Sequence, residues 1–285
     1  MRKIFHDEAL QKQFDKNGFV IVDWLSAFEF SELETVLSDL KSEEKENLKT
    51  VESSYKLSFF NANASYRSKV LATISSFFKE KTDRFLDHYV PLIINIFDKE
   101  PGGGEVPVHQ NWTFVDESKF TSVSIWIPFL DASRENGGLE VVKGSHRVLT
   151  PFRSPSIPWV FNDLFNELRE KYLEPLDVKK GKAAIIDDSI LHWSSGNKTD
   201  KIRTAIQLIM HPAEATPLHY YRDSQFPEQL EVFEVDKKFF TSFNMKEKPQ
   251  SVKSCGFIPY QYTNLDEEKL LERISIQNPG IQTKR

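Results

Sequence analysis

The chain has 285 residues, with 37 Lys and Arg against 42 Asp and Glu, which gives a formal net charge of −5. This mild acidity disfavours nucleic acid as the main partner, because phosphate binding needs a concentrated basic face. A hydrophobic fraction of 39% and a charged fraction of 28% exclude a wholly disordered chain and a simple coiled coil.

The sequence also predicts a soluble, cytoplasmic protein. No stretch approaches the roughly 18 consecutive apolar residues that a membrane-spanning helix needs. Asp7 and Glu8 come before an apolar region typical of a secretory signal could form. The single cysteine, Cys255, cannot form an internal disulfide, which fits a reducing compartment. We expect its side chain to be buried as a small hydrophobic group.

Residues 1–88 are predicted to be mainly helical. Leu10 and Phe14 stand four apart before Gly18 breaks the run, and a short β-branched strand follows at residues 19–22. Ser31 has capping-box spacing to a glutamate three residues later, which predicts a helix start at this serine. Two amphipathic helices are expected, on Leu33, Val36, Leu37 and Leu40 and on Val70, Leu71, Ile74, Phe77 and Phe78.

Residues 89–212 are predicted to form a β core, because the apolar pattern changes to the period of a strand. The strands are expected at residues 90–97, 123–130, 139–142, 183–186 and 202–209. The second strand alternates, with Val123, Ile125 and Ile127 on one face, and is expected to be half-buried.

Two further segments accompany the predicted β core. Residues 147–180 are interrupted by Pro151, Pro155 and Pro158 and carry a helical patch between strands, which predicts an insertion that forms a lid over a pocket. Mixed helix and coil is expected in the C-terminal extension, residues 213–285. Together the elements predict a single α+β domain over residues 1–285.

Two histidines and an arginine carry the chemical signal. His109 follows a glycine-rich turn, and His192 follows a strand that ends in two aspartates. Two histidines from separate strands can converge on a metal, and neutral imidazole suits Fe(II), Zn or Cu. Arg203 stands on the next strand, and a fixed guanidinium near a metal site suits a dicarboxylate co-substrate.

At this point the chain resembles the phytanoyl-CoA dioxygenase family. The resemblance covers roughly residues 10 to 212, and the segments that carry it, besides His192 and Arg203, are FDKNGFVIV at 14–22, EVPVHQNWTFVDE at 105–117, SIWIP at 124–128 and ENGGLEVVKGSH at 135–146. It implies a double-stranded β-helix (jelly roll) oxygenase that uses non-haem Fe(II) and 2-oxoglutarate. The implied reaction hydroxylates an unactivated C–H bond with molecular oxygen while 2-oxoglutarate is converted to succinate and carbon dioxide.

The resemblance also implies roles for particular residues. His109 and His192 match the two iron histidines, and Arg203 matches the residue that pairs with the distal carboxylate of 2-oxoglutarate. Ser194 matches a hydroxyl that helps to hold the same carboxylate. Trp126 is expected to pack on the co-substrate.

The chain departs from the family at Asn111, where the third iron ligand is normally a carboxylate. An amide oxygen can ligate iron but brings no negative charge, so iron affinity should fall. Asn111 is then a weak neutral ligand in an active enzyme, part of a degenerate site that binds without turnover, or a deliberate replacement of Asp. Halogenation is disfavoured, because Asn fills the space that chloride would need. A shifted ligand from Asp116 or Glu117 is disfavoured against polar groups at a turn.

The substrate is expected to be a small molecule, an amino acid or peptide, or an acyl group on a carrier. Its pocket is expected to be bounded by Trp112, Phe114 and Trp159. The main alternative is a catalytically altered member that acts as a ligand-binding module. A zinc hydrolase has little support, because it would leave Arg203 and Ser194 unexplained.

Overall fold

A computed structural model of the chain describes residues 2–44, 55–242 and 247–277. The helices are α1 (Glu8–Asn17), α2 (Ala27–Ser42), α3 (Ala64–Phe85), α4 (Phe165–Glu167), α5 (Lys237–Ser242) and α6 (Glu267–Gln277). The strands are β1 (Phe19–Asp23), β2 (Tyr55–Leu57), β3 (Tyr89–Lys99), β4 (Val106–His109), β5 (Val123–Pro128), β6 (Leu139–Val142), β7 (Leu173–Pro175), β8 (Lys182–Asp187), β9 (His192–Ser194), β10 (Arg203–Pro212), β11 (Leu218–Tyr221), β12 (Gln229–Glu234) and β13 (Lys253–Pro259).

Two antiparallel sheets form the core. The larger has six strands in the order β1-β8-β5-β10-β3-β2, and the smaller has four in the order β4-β9-β6-β7. A third sheet, β11-β12-β13, belongs to the C-terminal part of the chain. Antiparallel sheets with flanking helices confirm the predicted α+β class. None of the helices in the described ranges is long and apolar enough to cross a membrane.

The helices α1 to α3 cover one face of the six-stranded sheet. Phe14, Leu33 and Phe78 pack there in one cluster with Ile125 and Ile127 of β5. The opposite face of β5 is also buried, because Trp126 packs against residues of β6. The predicted alternation of β5 therefore describes its two faces, but the expectation that this strand is half-buried is wrong.

The start of α2 differs from the prediction. The helix begins at Ala27, and Ser26 is its N-cap, with a capping box to Glu29. Ser31 lies inside the helix. Two serines stand three residues before a glutamate in this stretch, and the spacing alone does not decide which of them caps the helix.

The C-terminal part contains strands that the sequence pattern did not predict. β11 pairs with β12, and β12 pairs with β13, all antiparallel. Phe233 and Phe240 of this region pack against Ile93 and Phe114 of the main body. Cys255 lies exposed on β13, so the expectation of a buried cysteine is wrong. β13 pairs on one side only, and its side chains are mostly exposed.

Residues 147–180 contain short helical turns and the strand β7. Their apolar side chains Phe161, Leu164 and Leu168 pack with Trp193 of β9 and with Leu270 of α6. The insertion therefore shares an apolar cluster with the four-stranded sheet and α6, and its Trp159 lines a cavity of the protein.

Candidate active site

The two predicted histidines lie side by side. His109 ends β4, and His192 begins β9 as its direct cross-strand partner. Their ring centroids are 4.0 Å apart. Both rings line one cavity of about 350 Å³. Cross-strand pairing thus brings together residues that are far apart in sequence.

Each imidazole is held in one tautomer by a backbone carbonyl. Nδ1 of His109 lies 2.8 Å from the carbonyl oxygen of Pro107, and Nδ1 of His192 lies 2.9 Å from that of Ile190. A carbonyl only accepts, so Nδ1 donates and the lone pair stays on Nε2. Burial lowers the pKa of His109, and burial together with the neighbouring His109 lowers the pKa of His192 well below its ordinary value. Both rings are neutral, as metal binding requires.

Asn111 lines the same cavity, two residues after His109. Its side-chain Nδ2 donates to Ser124 Oγ at 2.9 Å and to Asp188 Oδ1 at 2.8 Å. Burial raises the pKa of Asp188 to about 6, against the lowering effect of the hydrogen bonds from Ser124 and Asn111. Asp188 follows β8, and sequence reasoning gave it no role.

The acidic residues that follow Asn111 lie elsewhere. Glu117 pairs with the buried Arg153, whose Nη1 donates to Glu117 Oε2 at 2.9 Å. Asp116 accepts from Ser118 and pairs with Lys119 near the surface. Nε of Arg153 donates to the backbone oxygen of Asn111 at 2.7 Å. This arginine therefore fixes the backbone beside the histidines.

Arg203 lies fully buried at the start of β10. Its guanidinium carbon is 4.6 Å from the ring centroid of Phe97 and 5.7 Å from that of Trp126. Burial lowers the pKa of Arg203 to about 10. None of its three side-chain nitrogens has a hydrogen-bond partner in the described part of the chain. A buried guanidinium in this state is prepared for a carboxylate.

Lys99 is a second buried cation that sequence reasoning missed. It is the cross-strand partner of Arg203 in β3, and its side chain has no exposed surface. Nζ donates to Ser194 Oγ at 2.7 Å, to the Ser194 carbonyl at 3.1 Å and to the Ser195 carbonyl. Burial, together with the charge of Arg203, lowers the pKa of Lys99 to about 7. In the sequence Lys99 stands between Asp98 and Glu100 and has the pattern of an ordinary exposed strand end.

Ser194 is already engaged on both sides of its hydroxyl group. The hydroxyl donates to the Gly137 carbonyl at 2.8 Å and accepts from Lys99. Its proton is thus committed to the turn before β6, and its oxygen lies in the cavity wall next to Lys99. Neither Lys99 nor Arg203 lines the cavity itself, but Lys99 bonds to Ser194 and Arg203 lies 5.7 Å from the ring of Trp126, and both of those residues do.

Aromatic side chains form much of the cavity wall. The cavity is lined by Trp112, Phe114 and Trp159, which were expected to bound the substrate pocket, and by Trp126, which was expected to pack on the co-substrate. The ring of Trp159 stands edge-on to His109, with centroids 6.5 Å apart. Polar side chains from the six-stranded sheet, Asn95 and Gln207, join them. Asn95 donates to Gln207 Oε1 at 3.0 Å, while its own buried Oδ1 has no partner in the described ranges.

These residues fit a divalent metal and a dicarboxylate. The metal donors are two neutral imidazoles with free Nε2 atoms and one amide. Within the described residues, no group of three or more His, Cys, Asp and Glu side chains forms a metal cluster. Fe(II) accepts imidazole nitrogen and amide oxygen as ligands. The unpaired guanidinium of Arg203 is the group that a distal carboxylate requires.

Curated relatives are named after phytanoyl-CoA dioxygenase, the family that the motifs resemble. The phytanoyl-CoA dioxygenase domain-containing protein 1 homolog of Dictyostelium discoideum is 32% identical over 123 residues, which cover 41% of this chain and 44% of that protein. Its Danio rerio counterpart is 34% identical over 113 residues, which cover 37% of this chain and 39% of that protein. The matched segments thus span less than half the length of either relative.

Solved structures share the fold. EctD from S. alaskensis, solved with 2-oxoglutarate and 5-hydroxyectoine, has a TM-score of 0.54 and 18% identity, covering 78% of this chain and 83% of that one. The epimerase SnoN, in complex with Fe3+, alpha ketoglutarate and nogalamycin RO, also has a TM-score of 0.54, with 17% identity over 74% of this chain and 85% of that one. These likenesses confirm the predicted jelly-roll core.

A profile of the Phytanoyl-CoA dioxygenase (PhyH) family matches residues 14–205, a segment that holds both histidines, Asn111 and Arg203. The match covers more than half of the sequence and confirms the resemblance seen in the motifs. The chain belongs to the phytanoyl-CoA dioxygenase family.

Proposed function

We propose that the protein is an Fe(II)- and 2-oxoglutarate-dependent oxygenase that hydroxylates a C–H bond of a small, largely apolar substrate. One observation carries this proposal: two neutral histidines with free Nε2 atoms lie on a cavity wall, and a buried arginine without a partner lies in the same fold. Family membership supports the same reaction class. We extend the proposal to residues 1–285 acting as a single domain in the cytoplasm.

Three side chains would hold the iron. Nε2 of His109 and Nε2 of His192 are available because both Nδ1 atoms donate to backbone carbonyls. Asn111 would supply its amide oxygen, because its Nδ2 is committed to Ser124 and Asp188. When bound, iron and 2-oxoglutarate supply the oxidising chemistry, with succinate and carbon dioxide as co-products of substrate hydroxylation.

The co-substrate end of the site is built from buried cations and aromatic rings. Arg203 would bind the distal carboxylate of 2-oxoglutarate through two parallel N–H donors. Phe97 and Trp126 restrict the guanidinium, since both rings lie within 6 Å of it. Lys99 holds the strand that carries His192 through its bonds to Ser194, and it is only partly protonated near neutral pH, because burial and the charge of Arg203 lower its pKa to about 7. Water is excluded here, because neither cation has exposed surface.

The wall of the cavity supports an uncharged substrate. Among the described residues that line it, none is Asp, Glu, Lys or Arg, and most are aromatic or aliphatic. A free amino acid would bring an ammonium and a carboxylate that find no countercharge there, which disfavours it. The unpartnered Oδ1 of Asn95 is suited to accept a hydrogen bond from a hydroxyl or amide of the substrate. The proposed substrate is therefore an uncharged small molecule or the uncharged end of a larger one.

The second candidate function is ligand binding without turnover, which the neutral Asn111 favours. A binding module would form no succinate, because succinate appears only if the site turns over. Incubation with Fe(II), oxygen and 2-oxoglutarate, with and without a panel of uncharged candidate substrates, separates the two functions by succinate assay.

The first test is an anaerobic titration with Fe(II) and 2-oxoglutarate, followed by the weak visible metal-to-ligand charge-transfer band. The oxygenase proposal expects the band in the wild type and its loss in the His192→Ala variant. The matched control is His219→Phe, because His219 is buried in β11 and does not line the cavity. Absence of the band and of co-substrate binding in the wild type would contradict the oxygenase proposal.

A further inference from the structure

A buried carboxylate lies directly behind Asn111. Asp188 has no exposed surface, and its Oδ1 accepts from Asn111 Nδ2 at 2.8 Å and from Ser124 Oγ at 2.6 Å. The backbones are also joined, because the N–H of Asn111 donates to the Asp188 carbonyl at 2.9 Å. The asparagine is thus tied to Asp188 by both its main chain and its side chain.

These contacts fix which end of the amide faces the cavity. An asparagine side chain has two N–H donors and one acceptor oxygen, and an ionised carboxylate only accepts. Both donors of Asn111 are used, one by Ser124 and one by Asp188. The reversed amide would bring its oxygen against the carboxylate. Oδ1 is therefore the atom of Asn111 that remains for the cavity shared with His109 and His192.

Asp188 forms no ion pair with a basic side chain in the described ranges, and the nearby charge of Arg153 is already paired with Glu117. Arg147 pairs with Asp187. Burying an unpaired carboxylate is costly unless a positive charge lies nearby. A divalent metal on the opposite side of the Asn111 amide would provide that charge.

We propose that Asn111 and Asp188 together replace the single carboxylate ligand expected at this site. Asn111 Oδ1 is the ligand atom, and Asp188 is a positioning residue that orients the amide with the help of Ser124. A carboxylate that accepts from the amide N–H also shifts electron density toward the amide oxygen. Asp188 would therefore supply the negative charge of a carboxylate ligand through one hydrogen bond, without binding the metal itself. This inference rests on the proposed function and names the residues that make its metal site work.

The test measures metal affinity rather than turnover. Co(II) is titrated anaerobically as the probe, in the absence of 2-oxoglutarate, and its d–d absorption reports affinity and ligand geometry. Asp188→Asn keeps an acceptor for Asn111 but removes the charge, and it should weaken Co(II) binding at least about tenfold, as loss of a group that supports a ligand generally does. Ser124→Ala should weaken binding less, because Asp188 still holds the amide.

A charge exchange makes the test specific. Asn111→Asp alone sets two buried carboxylates against each other, so it should bind Co(II) no better than the wild type. The double variant Asn111→Asp/Asp188→Asn restores one carboxylate and one amide in exchanged positions, and it should recover wild-type affinity or exceed it. Asp187→Asn is the matched control: Asp187 is also buried but pairs with Arg147 and Ser189, so Co(II) affinity should not change.

The outcomes separate this inference from the proposed function. Wild-type Co(II) binding that is unchanged in a folded Asp188→Asn variant would overturn the role of Asp188 and leave the oxygenase proposal standing. Failure of the double variant to bind better than Asn111→Asp would overturn the coupling between the two positions. Absence of Co(II) binding in the wild type would overturn both proposals. Urea unfolding of each metal-free variant reports whether it is folded.

Discussion

Replacing Arg203 by Met should leave the metal-free protein at least as stable as the wild type and abolish tight binding of 2-oxoglutarate. Arg203 is fully buried, and its three nitrogens have no hydrogen-bond partner in the described residues. Its charge is therefore retained at a cost in the absence of a carboxylate. Methionine has a similar length and packs well against aromatic rings such as Phe97 and Trp126.

The expected magnitudes have opposite signs. Exchanging buried charged groups for apolar residues of similar volume is neutral or stabilising by about 1–4 kcal/mol, so the free energy of unfolding should not fall. Removing one partner of a buried, hydrogen-bonded charge pair costs about 2–5 kcal/mol of binding. At about 1.4 kcal/mol for each factor of ten, the dissociation constant of 2-oxoglutarate should rise roughly 30-fold to 4,000-fold.

Urea unfolding of the metal-free protein measures the first effect, and anaerobic 2-oxoglutarate titration with Fe(II) measures the second. Arg153→Met is the matched control, because Arg153 is equally buried but bonded to Glu117 and to the Asn111 and Thr150 carbonyls. It should lose about 3–5 kcal/mol of stability, since Glu117 would lose its partner. If Arg203→Met destabilised the protein as much, Arg203 would have a structural role and the reasoning would be refuted.

Three further changes test other parts of the structure. Lys99→Met should weaken 2-oxoglutarate binding at least about tenfold and also lower the unfolding temperature, because the carbonyls of Ser194 and Ser195 lose their donor. Unchanged affinity in the same titration would contradict a role of Lys99 in co-substrate binding. Gly137→Ala should lower thermal stability more than Gly102→Ala. Both glycines have positive φ, but only at Gly137 would the new Cβ lie 2.7 Å from a backbone oxygen. Equal losses of stability in the two variants would refute this account. Burial lowers the pKa of His219 to about 4 from its ordinary 6.5, so the unfolded state takes up the proton first and stability is lost as pH falls from 6.5 to 4. That loss is up to about 3 kcal/mol, and in urea unfolding across this range His219→Phe should lose correspondingly less, whereas parallel curves would count against burial as the cause.

The order of the motifs in the chain was sufficient to predict the family, the jelly-roll core and the histidine pair. The alternation in β5 placed Ile125 and Ile127 on one face and Trp126 on the other, and the clusters follow that division. Such patterns are readable because side-chain direction in a strand repeats every two residues whatever the rest of the chain does.

Prediction was less accurate where two patterns compete or where strands are short. Ser26 rather than Ser31 caps α2, although both stand three residues before a glutamate. The strands β11 to β13 were missed, because charged residues interrupt their apolar pattern and pairing between them provides much of their order. The expectation that Cys255 is buried was wrong for the same reason, because Cys255 lies exposed on the edge strand β13.

The chain by itself determined which residue types are available at the site, and only the tertiary structure decided which of them act together. In the sequence, Asn111 indicates a weakened metal site, but Asp188, 77 residues later, accepts a hydrogen bond from its amide. Lys99 reads as a surface lysine, yet β10 places Arg203 directly beside it. Contacts of this kind depend on strand pairing between distant segments, and local propensity does not specify which strands will pair.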